Sequence, residues 1–340
     1  MVSICNDKGQ LDDAIAAYRQ AIIIRPKFAE AHHSLSLLLL SRGDFQHGWD
    51  EHEWRWKCKD FPSVPRNFAQ PQWDGRPLDG RTLLLYAEQG FGDALQFIRY
   101  VPMVAQRGGR IIIECKAELQ RLFQTMAAGC QIVVRGQPLP AFDLQCPLLS
   151  LPLVFGTTLA NLPRNVPYLH ADAEAAGRWQ RRMADHSPLV RVGLVWSGSP
   201  GHKNDRNRST KLARLAPLVQ APGVRFFSLQ KGDAGAEAKR PPPGMELIDW
   251  TEELTDFADT AALIANLDLV ITVDTAVAHL AGAMGKQVWT LLPFVADWRW
   301  LLEREDSPWY PSMRLFRQPS WGDWDSVINR VADKLSLAKA

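Results

Sequence analysis

The sequence predicts an α/β protein, two units built on parallel sheets behind an all-α segment. Three observations predict it. Small and apolar residues at helical spacings fill the first 60 positions, and from Arg81 onward short apolar runs alternate with helical stretches. A polar helical stretch around Asp172 to Asp185 then divides that alternation into two series. Such alternation implies parallel strands covered by helices on both faces. At 340 residues the chain also exceeds the size at which one hydrophobic core keeps growing. The expected domains are 1–60 helical, 61–79 linker, 80–170 first α/β domain, 171–187 connector helix and 188–340 second α/β domain.

In the helical segment, Gly9, Leu11, Ala14, Tyr18, Ala21 and Pro26 fall at the spacings of the second half of a tetratricopeptide unit of about 34 residues. Small residues there let two helices approach, and the proline ends the second helix. Restarting at Ala29 places Leu35, Leu39, Gly43 and Phe45 at the next unit's positions, while Gly48 and Arg55 stand where alanines are usual. One partial and one degenerate repeat are therefore expected. A stack needs about three repeats to bury its face. The segment thus reads as the end of a longer array that binds a protein partner, or as two hairpins packed on the next domain. Phe61 to Pro77, with four prolines, is the linker.

Strands are expected at Leu83–Ala87, Ile111–Glu114 and Ile132–Val134, with helices at Asp93–Gln106 and Ala117–Met126. In the second series, strands are expected at Val190–Trp196, Val224–Leu229, Leu269–Val273 and Val288–Leu292. Its helices are expected at Leu212–Val219, Thr255–Ala265, Ala276–Met284 and Trp324–Leu335. Ligands of such sheets bind beyond the carboxyl ends of the strands, so the strand-to-helix loops should carry the chemistry.

Composition narrows the function classes. A chain 46% hydrophobic and 22% charged is an ordinary globular one. With 39 Lys and Arg against 37 Asp and Glu, the net charge of +2 offers no broad field for a nucleic-acid backbone. Cys5, Cys58, Cys115, Cys130 and Cys146 form no C-x-x-C pair, which argues against zinc, redox or disulfide frameworks and for a cytoplasmic setting. No apolar run approaches a membrane helix, the longest being Leu35–Leu40, and no signal peptide is evident. Any membrane contact is expected to be peripheral.

After the first strand comes Glu88-Gln89-Gly90-Phe91-Gly92-Asp93. Gly90 and Gly92 permit tight turns and close ligand approach, and free amides at the following helix start favour negative charge. Asp93 either stabilises the first helical turn, the reading spacing alone favours, or acts as a general base on an acceptor hydroxyl. In the second series, Val190–Trp196 runs into Ser197 to Ser209, a glycine and serine loop with four basic side chains. Lys203 and Arg208 are the preferred ligands of a diphosphate there, with Ser197 and Ser209 as hydroxyl donors and no metal required. Gln230-Lys231-Gly232 is a weaker nucleotide contact or an ordinary turn. At Asp274-Thr275-Ala276 an apolar strand stops and a helix begins, with His279 one turn on from Thr275. Amides, hydroxyl and imidazole can converge there on one anion. Most of the thirteen tryptophans read as packing. Trp298, with Arg299, is the ligand-contact candidate among them, since it follows Pro293 in a loop beyond a strand.

Gly90 to Asp93 as G-x-G-D, together with Asp274 to Leu280 as D-T-A-x-x-H-L, resembles the heptosyltransferase family, glycosyltransferase family 9, over residues 80 to 335. The resemblance implies a GT-B fold of two Rossmann-like domains and inverting transfer from a nucleotide-diphosphate sugar, with neither metal nor other cofactor. It implies that Asp93 is the base and that Asp274, Thr275 and His279 contact the diphosphate. Lys203 or Arg208 supplies the basic residue of the first loop. Ala276 departs from the family's usual glycine, and a repeat segment is foreign to lipopolysaccharide heptosyltransferases. Repeats followed by a GT-B unit are similar to protein O-linked N-acetylglucosamine transferases, so the acceptor is a glycan or a protein. The rival reading is a non-catalytic nucleotide- or sugar-binding repeat scaffold. A nicotinamide oxidoreductase is disfavoured, because no complete dinucleotide fingerprint is visible.

Overall fold

The computed structural model describes residues 8–126, 129–184 and 189–337. Cys5, Asp185 and the outer ends of the expected repeat and connector segments lie outside the described residues. The chain forms two compact units. The first takes its described residues from Met1–Gln120, Ala127–Arg164 and Asp297–Arg304. The second takes them from Arg121–Met126, Asn165–Ala296 and Glu305–Ala340.

The first unit opens with α1 (Lys8–Ile24), α2 (Ala29–Arg42) and α3 (Phe45–His52), followed by a 3-10 turn at Glu53–Lys57. Gly43 ends α2 in the left-handed region at φ 84° and donates to the last carbonyls of that helix, which residues with a Cβ rarely do. Gly48 has a packing role. A Cβ there would sit 2.7 Å from the Leu40 side chain, so its absence sets the close approach of α3 to α2. Leu11, Ile15, Leu35, Leu38 and Leu39 form the core of this segment.

The first sheet contains β1 (Thr82–Tyr86), β2 (Arg110–Cys115), β3 (Cys130–Val134) and β4 (Leu144–Pro147), all parallel, in the order β3-β2-β1-β4. Between β1 and β2 lie α4 (Phe91–Phe97), a 3-10 turn at Ile98–Tyr100 and α5 (Val101–Ala105). The single helix expected there is broken. Pro102 supplies no amide hydrogen to the preceding turn, so it begins a new helix as a first-turn residue. Then come α6 (Ala117–Met126) and, after β4, the short α7 (Leu151–Val154). The fourth strand was not anticipated, because Pro147 at its end and the apolar run beyond it conceal a four-residue strand. The proline-rich linker is docked on the sheet. Trp73 N donates to Gln145 O at 2.9 Å, and Phe68 meets Tyr86 and Phe142 edge-on.

In the second unit, α8 (Ala173–Arg182) precedes β5 (Val190–Val195). Then follow α9 (Asp205–Arg208), a 3-10 stretch at Leu212–Gln220, β6 (Val224–Ser228) and β7 (Leu247–Asp249). The chain continues through α10 (Phe257–Ile264), β8 (Leu269–Val273), α11 (Ala276–Ala283), β9 (Val288–Leu292), β10 (Met313–Arg317) and α12 (Trp324–Leu337). These strands form a six-stranded parallel sheet in the order β10-β9-β8-β5-β6-β7. The short β7 and the charged β10 were not anticipated. One face packs on Leu212–Gln220 and α12 through Trp196, Leu215, Leu218, Val327 and Val331. Gly193 in β5 lets Leu229 and Leu267 close over the strand, since a Cβ would lie 2.7 Å from each.

Both sheets are wound the same way. Successive strands add on one side of the first strand, then the chain crosses back and builds on the other. The reversal lies between β1 and β4 in the first unit and between β5 and β8 in the second. That is where a sheet of this kind leaves a crevice at its carboxyl end.

Candidate functional site

In the first unit the loop after β1 turns sharply at Gln89, a non-glycine residue at φ 64° whose amide donates to Ser63 Oγ at 2.9 Å. Asp93 stands in the first turn of α4, and its Oδ2 accepts from Gly90 N at 2.8 Å, satisfying one of the amides that a helix start leaves unpaired. A Cβ on Gly90 would come within 3.1 Å of that oxygen. The other oxygen, Oδ1, accepts from Arg299 in an ion pair. Arg299 also donates to Gln96 Oε1 at 2.6 Å and to Asp297 Oδ1 at 2.9 Å. Thus Asp93 does what the local reading assigns it and is held a second time by a residue two hundred positions away.

Beneath this loop lies a buried ionic cluster. Arg55, 0% exposed, donates to Glu88 Oε1 at 3.0 Å, Ser150 Oγ at 2.9 Å and Glu53 Oε1 at 2.5 Å. Glu88 follows β1 and Ser150 follows β4, so Arg55 bridges the loops of the two strands that bound the reversal point. The residue at the degenerate repeat position therefore reaches into the crevice of the first sheet. Burial pushes the Glu88 carboxyl up to about 7 even with Arg55 beside it. Its Oε2 finds no hydrogen-bond partner among the described residues. Burial and the Arg55 charge hold His33 down at about 4 and His52 well below its ordinary value.

In the second unit, the loops after β5 and β8 bound the reversal point and are joined by one side chain. Arg208 Nη1 donates to Asp274 O at 2.9 Å, and its Nε pairs with Asp205 at 3.3 Å. The guanidinium lies over Gly198, where a Cβ would fall 2.5 Å from Nη2. Ser209 Oγ accepts from Gly198 N at 2.8 Å and donates to Asp205 Oδ1 at 2.8 Å. Ser197 is half-buried, and its amide donates to Gln230 Oε1 at 2.8 Å. Lys203 is exposed on the same loop. Thr275 precedes α11 with no side-chain cap, its hydroxyl 3.0 Å from that of Thr272. Thr275 and Ala276 are half-buried at this helix start. His279, 5% exposed, meets the Tyr310 hydroxyl through Nδ1 at 2.9 Å.

The structure thus brings Ser197, Arg208, Ser209, Asp274, Thr275, Ala276 and His279 to one edge of the second sheet, and Gly90, Gly92 and Asp93 to one loop of the first unit. Other candidates have structural occupations. Gln230 clasps the β5 loop, since its Nε2 also donates to Ser197 O at 3.0 Å and Lys231 O at 2.9 Å. Lys231 Nζ donates to Thr251 O at 2.7 Å. Trp298, 4% exposed, is packed among Phe45, Trp49, His52 and Phe97 in the first unit. Spacing gave no sign of Arg55 or Ser150 as site neighbours. An arginine where a repeat wants alanine was the available signal.

Comparison with known proteins shows what this edge is similar to. Residues 3–43 match the TPR repeat, and residues 209–293 match glycosyltransferase family 9 (heptosyltransferase). Over residues 209–293 the chain is thus similar to family 9 glycosyltransferases. That segment contains Ser209, Asp274, Thr275, Ala276 and His279, whereas Lys203, Arg208 and Asp93 precede it. Protein FlbA of Caulobacter vibrioides is 27% identical over 97% of this chain, which spans 59% of that protein's length. Escherichia coli ADP-heptose lipopolysaccharide heptosyltransferase II superposes with a TM-score of 0.52 at 12% identity, over 76% of this chain and 99% of its own. The family 9 glycosyl transferase of Veillonella parvula gives 0.54 at 11%, over 76% and 98%. At such identities the likeness is one of fold, the two-domain GT-B architecture with helices before it. Among the described residues no helix is long and apolar enough to cross a membrane.

Proposed function

We propose that the chain is an inverting, metal-independent glycosyltransferase that moves a sugar from a nucleotide-diphosphate donor to a hydroxyl of a glycan or protein. One observation carries the reading: the β5 and β8 loops meet at the reversal point of the second sheet, tied by Arg208 to Asp274 O, inside and beside the family 9 segment. The amides at the start of α11, the Arg208 guanidinium and Lys203 would neutralise the diphosphate as the bond to the sugar breaks. Cationic side chains serve there without a metal. Thr275 and His279 would fix its orientation. Asp93 would take the proton of the incoming hydroxyl as oxygen attacks the anomeric carbon from the face opposite the departing diphosphate. The helical segment would offer its exposed face to a protein partner or acceptor, in a cytoplasmic setting.

Thermal-shift titration with ADP, GDP, UDP and CMP, followed by nucleotide release from the corresponding sugars, tests this. A rise in melting temperature with one nucleoside diphosphate, and its release from the matching sugar, is expected. Binding without release would favour a second reading, a sugar-nucleotide-binding scaffold, to which the engagement of Asp93 by Gly90 and Arg299 lends support. No response to any nucleotide would end both.

A further inference from the structure

The segment Asp297–Arg304 lies beyond β9 in sequence, yet it belongs to the first unit by its contacts. Three features suit it to hold something in place. Arg299 is 8% exposed and fans its guanidinium over three acceptors: Nε to Gln96, Nη1 to Asp297 and Nη2 to Asp93. Its Cζ also lies 4.4 Å from the centre of the Trp298 ring and 5.7 Å from that of Phe97. The backbone that carries it is pinned. Asp297 Oδ1 accepts from Arg299 N at 3.0 Å, and two residues on Leu301 adopts φ 53°, a conformation that residues with a side chain rarely take. Such strain persists only where surrounding packing enforces it.

That packing comes from the helical segment. Trp298 meets Trp49 edge-on at 5.4 Å, Phe45 edge-on at 6.4 Å and His52 at 6.5 Å, and stacks on Phe97 at 6.4 Å. Trp49 is in turn fixed by its Nε1 donating to Thr157 O at 2.9 Å. Leu302 packs against the core of α1 and α2.

We propose that Arg299 is a positioning residue for Asp93, and that the aromatic cage contributed by α3 and α4 holds Arg299 in register. The inference rests on Asp93 being the base. A carboxylate tied only to Gly90 could pivot about that hydrogen bond. A second anchor on the opposite oxygen fixes the plane of the carboxylate and hence the direction of its remaining lone pairs, and misplacing a catalytic group by 1 Å costs about a hundredfold in rate. On this view the helices have two uses: one face for partners and one that keeps the base aimed.

The test compares Arg299→Met, which keeps the packing on Trp298 but removes the charge, with Arg299→Lys and Asp93→Asn in the full chain. The probe is release of nucleoside diphosphate from whichever of ADP-, GDP- or UDP-glucose the wild-type chain turns over fastest, with binding of the free nucleoside diphosphate measured alongside. Arg299→Met should lower kcat roughly a hundredfold with KM and nucleotide binding unchanged, and Arg299→Lys should recover part of the loss. A merely structural arginine would lower melting temperature with no lysine rescue and no separation of kcat from KM. If Asp93→Asn is inactive while a folded Arg299→Met variant keeps kcat within twofold, the positioning role is overturned and the base survives. If Asp93→Asn itself keeps full kcat, both are overturned.

Discussion

The two units wind their sheets alike and use the reversal point differently. In the first, the carboxyl edge between β1 and β4 is filled by the protein's own groups: Arg55 bridges Glu88 and Ser150, and Arg299 anchors Asp93. In the second, the edge between β5 and β8 keeps a half-buried guanidinium, an exposed Lys203 and an uncapped helix start. Under the proposed function, the same topology would supply a mount for the base in one unit and an anion seat in the other. What distinguishes them is where the charges find their partners. Asp93 is met by Arg299 from a distant segment, whereas Arg208 pairs with Asp205 on its own short helix and with Asp274 O, and Lys203 stays exposed.

That contrast can be broken most severely at the mount. Asp93→Asn should reduce nucleotide release by at least about a hundredfold, the usual worth of a general base, while calorimetric titration finds nucleoside diphosphate binding unchanged. Arg55→Met should leave Glu88 and Glu53 without their shared cation and destabilise the chain by about 3–5 kcal/mol in urea unfolding. Unfolding at wild-type urea concentrations would show that the mount does not depend on the helical segment. At the seat, Gly198→Ala should displace Arg208, since the new methyl falls 2.5 Å from Nη2, and should weaken nucleoside diphosphate binding about tenfold, where Asp93→Asn leaves binding unchanged. Unchanged binding in Gly198→Ala would erase the distinction between the two edges.

The smallest effect concerns pH. Glu88 binds its proton more tightly when folded, at about 7 against the ordinary 4.5, so its contribution is complete below 4.5 and is lost as pH rises through 7. His33, held at about 4 against 6.5, acts in the opposite sense: its stabilisation is complete above 6.5 and lost as pH falls through 4. Glu88→Gln should therefore flatten the decline in stability between pH 4.5 and 7 and leave the acid limb in place. An unchanged slope in urea midpoints across that window would show that Glu88 is not the buried acid responsible.

Much of this was legible in sequence, where periodicity was strong. β8 and β9 fall at their expected bounds, because short apolar runs that stop at Asp274 and at Pro293 leave little choice. The placement of Asp274, Thr275, Ala276 and His279 at the start of α11 was legible for the same reason, as a strand stop and a helix start adjoin. β4 and β10 were hidden by a terminal proline and by flanking arginines, where tertiary pairing overrides local pattern. The occupations of Arg55, Gln230 and Trp298 were not legible at all. Each has partners 33 or more positions away besides any local ones, such as Glu88 for Arg55 and Ser197 for Gln230, and composition carries no trace of who those partners are.

The excursion of Asp297–Arg304 has a consequence for inheritance. The first unit is not a contiguous stretch of gene, because eight codons from the far half encode its third piece. Recombination that swaps halves at the connector would hand each hybrid a foreign arginine turn beneath a native helix. Successful chimaeras should be those whose crossover carries the cage around Trp298 and the turn that fills it together.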